Sequence, residues 1–234
     1  MLVDPGRIEG DRAMLDDGDS RHLTRALRRR EGAPVSVADG AGRAWQGVIA
    51  DLGPPVVVSL ETPVDVVARR PELVVVHALP EGRKLDDVVR RLSELGVDRL
   101  QPVISARAEN RPAGDKVAKQ LARWRAVAHA AAKQARRAWP LTVEELATWP
   151  GRLKELSAGA VLGPQASRPL GEAVGDVASA PVVGLGVGPE GGLTQQEVGA
   201  AGLAPAALGD TVLRTETAAL AAAAVVLHRA GRFG

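Results

Sequence analysis

Pro181-Val182-Val183-Gly184-Leu185-Gly186-Val187 runs directly into Gly188-Pro189-Glu190-Gly191-Gly192-Leu193, and then into Thr194-Gln195-Gln196-Glu197. The apolar run suits a strand buried on both faces, and Thr194 with Glu197 fits the capping box that opens a helix. Strand, glycine loop and helix in succession are the unit of an α/β sheet, where ligands bind at the strand's carboxyl end. Three glycines let a ligand approach the backbone, and Glu190 adds an acceptor for a hydroxyl or ammonium group. The same letters spell G-x-G-x-x-G at Gly186, Gly188 and Gly191, with Asp210 nineteen residues further on. Two features argue against a dinucleotide site. Only 43 residues follow Gly191, too few for the strands such a domain adds, and Pro189 lacks the N–H that would face a pyrophosphate.

Outward from this stretch the chain keeps the same rhythm back to Pro71. Leu73–Ala78 reads as a doubly buried strand, and Leu85, Val88, Val89, Leu92 and Leu95 follow helical spacing up to a C-cap at Gly96. Strands are expected at Leu100–Ile104, Gly159–Leu162 and near Ala207-Leu208, and helices over Val117–Ala138 and from about Glu216 to Arg229. This alternation predicts an α/β domain with a mostly parallel sheet over residues 71–234.

Residues 1–70 read differently. Asp19 or Ser20 is expected to cap a short helix reaching Arg29. Strands are expected at Pro34–Ala38, Ala44–Leu52 and Val56–Leu60, joined by Asp39-Gly40-Ala41-Gly42 and Gly53-Pro54-Pro55. Short strands joined by Gly/Pro turns predict a small β-barrel, with Glu61–Pro71 as the linker.

Composition narrows the chemistry. The 234 residues are 45% hydrophobic and 25% charged, as in an ordinary globular chain. Cysteine is absent, which excludes disulfides, zinc-thiolate sites, iron–sulfur clusters and thiol nucleophiles. His22, His77, His129 and His228 show no metal-ligand spacing, so no metal is expected. No apolar run is long enough to span a membrane and the first residues lack a signal-peptide pattern, which predicts a cytoplasmic protein. The formal charge is +2, but residues 83–140 carry a net +8, with no acid between Asp115 and Glu144. A second cluster is Arg21, Arg25, Arg28, Arg29 and Arg30. Basic stretches without acids suit a polyanion. With four Trp, one Phe and no Tyr, an aromatic stacking platform is not expected.

Three further stretches carry polar residues in suggestive places. Leu208-Gly209-Asp210-Thr211-Val212-Leu213-Arg214-Thr215-Glu216-Thr217 leads into an alanine-rich helix; a loop and helix start explain Thr215 but give Arg214 no reason. Glu94-Leu95-Gly96-Val97 joins helix to strand, with Arg107 just beyond that strand. No G-x-S-x-G, Walker A or H-E-x-x-H pattern occurs.

VGPEGGLTQQEV (187–198) with LGDTVLRTETAALAAAAVV (208–226) closely resembles the C-terminal signature of the RsmE family, small-subunit ribosomal RNA uracil-N3 methyltransferases of the SPOUT class. SRHLTRALRRREG (20–32), VADGAG (37–42), LSELGVDRLQPVISAR (92–107) and AAAKQARRAWP (130–140) are similar to its upstream blocks, so the resemblance covers nearly the whole chain. Arg91 and Glu81 stand where the family often has lysine, and Met1-Leu2-Val3 where it opens on Arg-Phe-Phe.

The resemblance implies a PUA-like RNA-binding β-barrel over 1–70 and a trefoil-knotted SPOUT α/β domain over 71–234. It implies S-adenosyl-L-methionine as cofactor, held by Leu162, Gly163, Gly188, Pro189, Glu190, Gly191, Gly192, Leu208, Gly209, Val212, Leu213, Thr215 and Thr217. It implies 16S ribosomal RNA as partner, in the small subunit, with Arg21, Arg25, Arg28, Arg107, Gln134 and Arg137 as the RNA-binding set, and a homodimer. Methylation at uracil N3 needs alignment with the methyl group and stabilisation of charge on the flanking oxygens. Arg214 is the candidate for stabilisation, and Glu190 or Glu216 for the proton. The competing readings are a SPOUT enzyme with another RNA target and a non-catalytic RNA-binding or ribosome-assembly module.

Overall fold

The structure, a computed structural model, describes residues 1–66 and 70–232. Its elements, in chain order, are β1 (Ile8–Glu9), β2 (Arg12–Met14), α1 (Asp17–Arg21), β3 (Pro34–Ala38), β4 (Ala44–Asp51), β5 (Val57–Val64), β6 (Glu72–Ala78), α2 (Lys84–Leu95), β7 (Arg99–Ile104), α3 (Asp115–Gln134), β8 (Thr142–Val143), β9 (Ala147–Thr148), β10 (Gly159–Leu162), α4 (Leu170–Ala173), β11 (Val182–Val187), α5 (Gln195–Ala200), β12 (Ala204–Ala206) and α6 (Thr215–Arg229). They form two compact units: residues 1–68 with 132–140, and residues 69–131 with 141–234.

The first unit is an antiparallel sheet in the order β1-β2-β5-β4-β3. Ala38 on the β3 edge exchanges backbone hydrogen bonds with the chain start, Val3 N–H to Ala38 O and Ala38 N–H to Met1 O, both 2.8 Å. A few residues later the same segment supplies β1 at the opposite edge, which closes the sheet on itself. Val35, Val37, Ile49, Val58 and Leu60 point inward at alternate positions and pack with Leu15 and Leu23. The first helix differs from the expected one. Asp16, not Asp19 or Ser20, caps it by accepting from the Asp19 N–H at 2.7 Å. After Arg21 it continues as a π-helical turn, His22–Ala26, so Arg28, Arg29 and Arg30 lie past its end. β5 also runs on to Val64, so Glu61–Val64 is strand rather than linker; of the expected linker, residues 67–69 lie outside the described residues.

Residues 132–140 join this unit for two reasons. Lys133 Nζ donates to Asp16 at 2.7 Å and Asp19 at 2.9 Å, at the start of α1. The Trp139 ring lies so close to the Asp39–Gly42 turn that a Cβ at Gly42 would sit 2.6 Å from it. Accordingly α3 ends at Gln134 instead of Ala138.

The second unit is a parallel sheet in the order β12-β10-β11-β6-β7-β8, with β9 also on β7. On β6, Leu73 and Val75 face α2, α3 and α6, while Val74, Val76 and Ala78 face Leu153 and Val161 on the other side. Two buried faces explain its unbroken apolar run. α2 ends at Gly96 with φ 104°, and α6 buries Ala219, Ala222, Ala223, Val226 and Leu227 along one stripe. The strand expected near Ala207-Leu208 lies at Ala204–Ala206, on the sheet's edge, where Pro205 costs no ladder bond. Gly184 and Gly186 of β11 lie under the turn Gly151–Glu155. A Cβ at Gly184 would be 2.6 Å from Leu156 Cδ1, and one at Gly186 2.7 Å from Leu153 Cδ1 and 2.9 Å from the Trp149 ring.

Two outcomes follow. Gly186→Ala is expected to destabilise the second unit by about 1–3 kcal/mol through overpacking, measured by urea unfolding. Burial opposes the Asp16 charge, but Lys133 and the Asp19 and Gly18 N–H groups outweigh it, so its pKa lies below the usual 3.8. A depressed carboxyl stabilises the fold above its unfolded pKa and ceases to do so as pH falls through the folded value. Lys133→Met is therefore expected to lower Tm at neutral pH, by about 1 kcal/mol or less in stability, and to reduce the loss of Tm on acidification below pH 4.

Candidate functional site

Parallel strands deliver their carboxyl ends to one rim, and the loops after β6, β7 and β11 meet there. After Val187 the chain turns through Gly188–Gly192, closed by the Gly192 N–H to Pro189 carbonyl bond of 2.8 Å. Thr194 caps α5 with the full reciprocal box to Glu197, as the spacing predicts. The second oxygen of Glu197 accepts from the Ala106 N–H at 2.7 Å, and Arg107 Nη1 donates to the Gly191 carbonyl at 3.0 Å. Thus the loop after β7 is fastened to the glycine loop. Arg111 fixes that loop by donating to the carbonyls of Ser105, Ala106 and Ala108.

The start of α6 is fastened to the same loop. Thr215 is buried and its hydroxyl donates to the Gly188 carbonyl at 2.5 Å. Arg214 stands at the N-cap but makes no side-chain cap; its side chain is exposed and has no hydrogen bond or ion pair among the described residues. Before it, Gly209 (φ 123°), Asp210, Thr211 and Val212 are exposed, Val212 at 80%, while Leu213 is partly buried and Thr217 exposed. Leu162 pairs with Ala206 and the Gly163 N–H donates to the Ala206 carbonyl, so the β10 end lies beside the segment leading to Leu208. A Cβ at Gly163, Gly192 or Gly209 would meet nothing within 4 Å. By contrast, the protein's own Leu153 and Trp149 fill the space over Gly186, which removes the G-x-G-x-x-G reading.

Three acidic or basic groups sit around this rim. Glu190 accepts from Lys84 Nζ at 2.6 Å and from the Glu81 N–H at 3.2 Å. Burial raises its pKa, but the Lys84 ammonium and the backbone donors outweigh this and hold it below the usual glutamate value. Glu190 is therefore a charged anchor for the entry to α2. Glu216 keeps a buried carboxylate oxygen, Oε2, without a partner among the described residues. His77, at the end of β6, is fully buried; burial above all depresses its pKa, so the ring is neutral and Nδ1–H donates to the Ala78 carbonyl at 2.6 Å.

The arginines expected to meet RNA fall in two places. Arg21, Arg25 and Arg28 are exposed on the first unit, with no hydrogen bond or ion pair from their side chains among the described residues. Gln134 is exposed on the same unit, but Arg137 is 8% exposed, and its neighbour Arg136 is the one that faces solvent. Arg107 belongs to the second unit and is engaged with Gly191. Sequence reasoning missed Lys84, Arg111 and His77. His77 and Arg111 bond carbonyls, and Lys84 meets Glu190, 106 positions away, as well as Glu81 three positions before it; only that last contact has a spacing that signals it.

Residues 68–227 match the family model of the RNA methyltransferase domain, and residues 15–57 that of the RNA methyltransferase PUA domain. The chain is 34% identical over 251 residues to the ribosomal RNA small subunit methyltransferase E of Mycobacterium bovis, covering 96% of this chain and 88% of that protein. It is 30% identical over 243 residues to the protein of the same name from Synechocystis, covering 97% and 76%. Among solved structures, the Neisseria gonorrhoeae ribosomal RNA small subunit methyltransferase E bound to S-adenosyl methionine superimposes with a TM-score of 0.81 at 29% identity, over 97% of this chain and 96% of that one. A methyltransferase of Legionella pneumophila in complex with the same cofactor gives 0.81 at 25% identity, over 97% and 96%. A barrel carrying a PUA domain, joined to a parallel α/β unit with this glycine loop, therefore places the chain in the ribosomal RNA small subunit methyltransferase E family.

Proposed function

We propose that this protein transfers the methyl group of S-adenosyl-L-methionine to N3 of a uridine in 16S ribosomal RNA, acting in the cytoplasm on the small subunit. The observation that carries the reading is the exposed guanidinium of Arg214, unpaired among the described residues and fixed at the rim because the next residue, Thr215, is bonded to Gly188. The cofactor fits what the chain offers. Gly163, Gly192 and Gly209 leave open space where side chains would stand, and Val212, in the loop after Gly209, is 80% exposed. Backbone groups of Leu162, Gly163, Gly188–Gly192, Leu208, Gly209, Val212, Leu213, Thr215 and Thr217 would line that cradle. When bound, the cofactor supplies an electrophilic sulfonium methyl group.

The chain's own residues must do the rest. N3 of uracil becomes nucleophilic when its imide proton leaves and negative charge spreads to the flanking oxygens. Arg214 cannot act as a base at neutral pH, but its fixed charge and forked donors hold those oxygens and favour the deprotonated ring. The adjacent amino end of α6 adds positive potential. Glu190 is tied to Lys84 with a depressed pKa, which makes it a weak proton acceptor, whereas Glu216 retains a buried carboxylate oxygen, Oε2, without a partner among the described residues. We assign proton acceptance to Glu216 and a positioning role to Glu190.

The knotted crossing and the homodimer implied by the resemblance belong to the same proposal. A shallow depression between α2 and α6, lined by Leu95, Leu220, Ala221 and Ala224 with Arg91 and Glu94 at its rim, supports a second copy docking there.

Arg214→Ala is expected to reduce turnover about a hundredfold, with S-adenosyl-L-methionine affinity unchanged. Arg214→Lys, which keeps the charge but loses the fork, is expected to restore part of the rate. Mass spectrometry of small-subunit RNA from cells lacking the protein is expected to show one uridine without its N3 methyl group. Full single-turnover methylation by the alanine variant would refute the role of Arg214.

A further inference from the structure

Sixteen described residues have a left-handed backbone, and fourteen of them are glycine. The two exceptions are Arg28 (φ 48°) and Arg136 (φ 53°). Both lie in the first unit, both are exposed, and neither guanidinium has a hydrogen bond or ion pair among the described residues. Both also occupy the same place in the architecture, the first residue beyond a helix's C-cap. After α3, the Arg137 N–H donates to the Ala132 carbonyl at 2.9 Å and the Arg136 N–H to Lys133 at 3.2 Å, a Schellman closure with Arg136 at the left-handed position. After the π-helical turn, the Arg29 N–H reaches back to Leu23 and the Leu27 N–H to His22, both 2.9 Å, which puts Arg28 at the equivalent point.

Glycine takes this conformation without steric cost, whereas a residue with a Cβ is strained there. Local strain of this kind persists where the surrounding structure holds it in place, and it clusters at ligand-binding sites. A cation at a helix carboxyl end can complement the helix dipole or bond the last carbonyls. Here no carbonyl is bonded by either guanidinium among the described residues, and Arg25, Arg29 and Arg30 put like charge next to Arg28 in the chain, against the single acid Glu31. Such an arrangement is relieved by an anion.

We infer that Arg28 and Arg136 are a pair of RNA phosphate contacts, each held outward from the first unit by a helix end that would be more stable with glycine. This rests on the RNA-methylating reading above and adds to it. Arg136, which no motif singled out, takes the phosphate-binding part that the sequence assigns to its buried neighbour Arg137. Arg28 gains a reason for its strained backbone.

The test uses the full chain, a labelled 16S ribosomal RNA fragment, and the glycine variants Arg28→Gly, Arg136→Gly and the double substitution. For each arginine lost, the slope of log affinity against log salt is expected to shrink by about 0.7–0.9, additively in the double variant. Tm is expected to hold or rise by up to about 4 °C, because strain is removed. Affinity for S-adenosyl-L-methionine is expected to be that of the parent. If the slope is unchanged while the parent binds and methylates the RNA, this inference falls and the function stands. If affinity and Tm fall together, the arginines serve the helix ends and the inference is again wrong. If the parent itself neither binds nor methylates the RNA, the function reading fails first.

Discussion

One hydrogen bond organises the rim of the second unit: the Thr215 hydroxyl donating to the Gly188 carbonyl. It joins the first residue of α6 to the loop that follows β11, two segments 27 residues apart. Thr215 is buried and the bond is partly shielded from water, and a hydroxyl left there without its acceptor would carry a desolvation cost. Because α6 also packs its alanine stripe against α2, β6 and β11, its start cannot drift without disturbing the core. Arg214 inherits that rigidity. Its backbone is fixed by the helix start and its side chain alone is free to meet a ligand.

The remaining contacts of the rim serve the same end. Lys84 and the Glu81 N–H hold Glu190, Arg107 holds Gly191, and Glu197 ties Ala106 to the capping box of α5. These bonds come from the segments that follow β6 and β7, so the glycine loop after β11 is fixed from both of them. The glycines divide by purpose. Gly184 and Gly186 admit the protein's own Leu153, Leu156 and Trp149, whereas a Cβ at Gly163, Gly192 or Gly209 would meet nothing within 4 Å.

Much of the second unit was legible in the sequence, because its signals are local. The apolar run of β6, the helical spacing of α2 with Gly96 behind it, and the Thr194–Glu197 box each depend on residues within a few positions of one another. The misreadings share a different cause. α3 stops at Gln134 because Lys133 and Trp139 are drawn to Asp16, Asp19 and the Gly42 turn, contacts across roughly a hundred residues. Arg137 matches the family block, yet the helix closure buries it and turns Arg136 outward. Glu190 reads as a free acceptor in the sequence because its partner, Lys84, lies 106 residues earlier, after the neighbouring strand β6. The two-residue strands β1, β8 and β9 are too short for any periodicity to show.

The central claim is that the loop cluster pinned by Thr215 is where S-adenosyl-L-methionine binds. Isothermal titration of the cofactor into the parent chain and into Thr215→Val tests it most directly, since valine keeps the shape and removes only the donor. The account predicts saturable binding to the parent, and an affinity about tenfold or more weaker in a folded Thr215→Val variant, as the loss of one buried hydrogen bond implies. Equal affinity in the two proteins, or no heat with the parent, would contradict it.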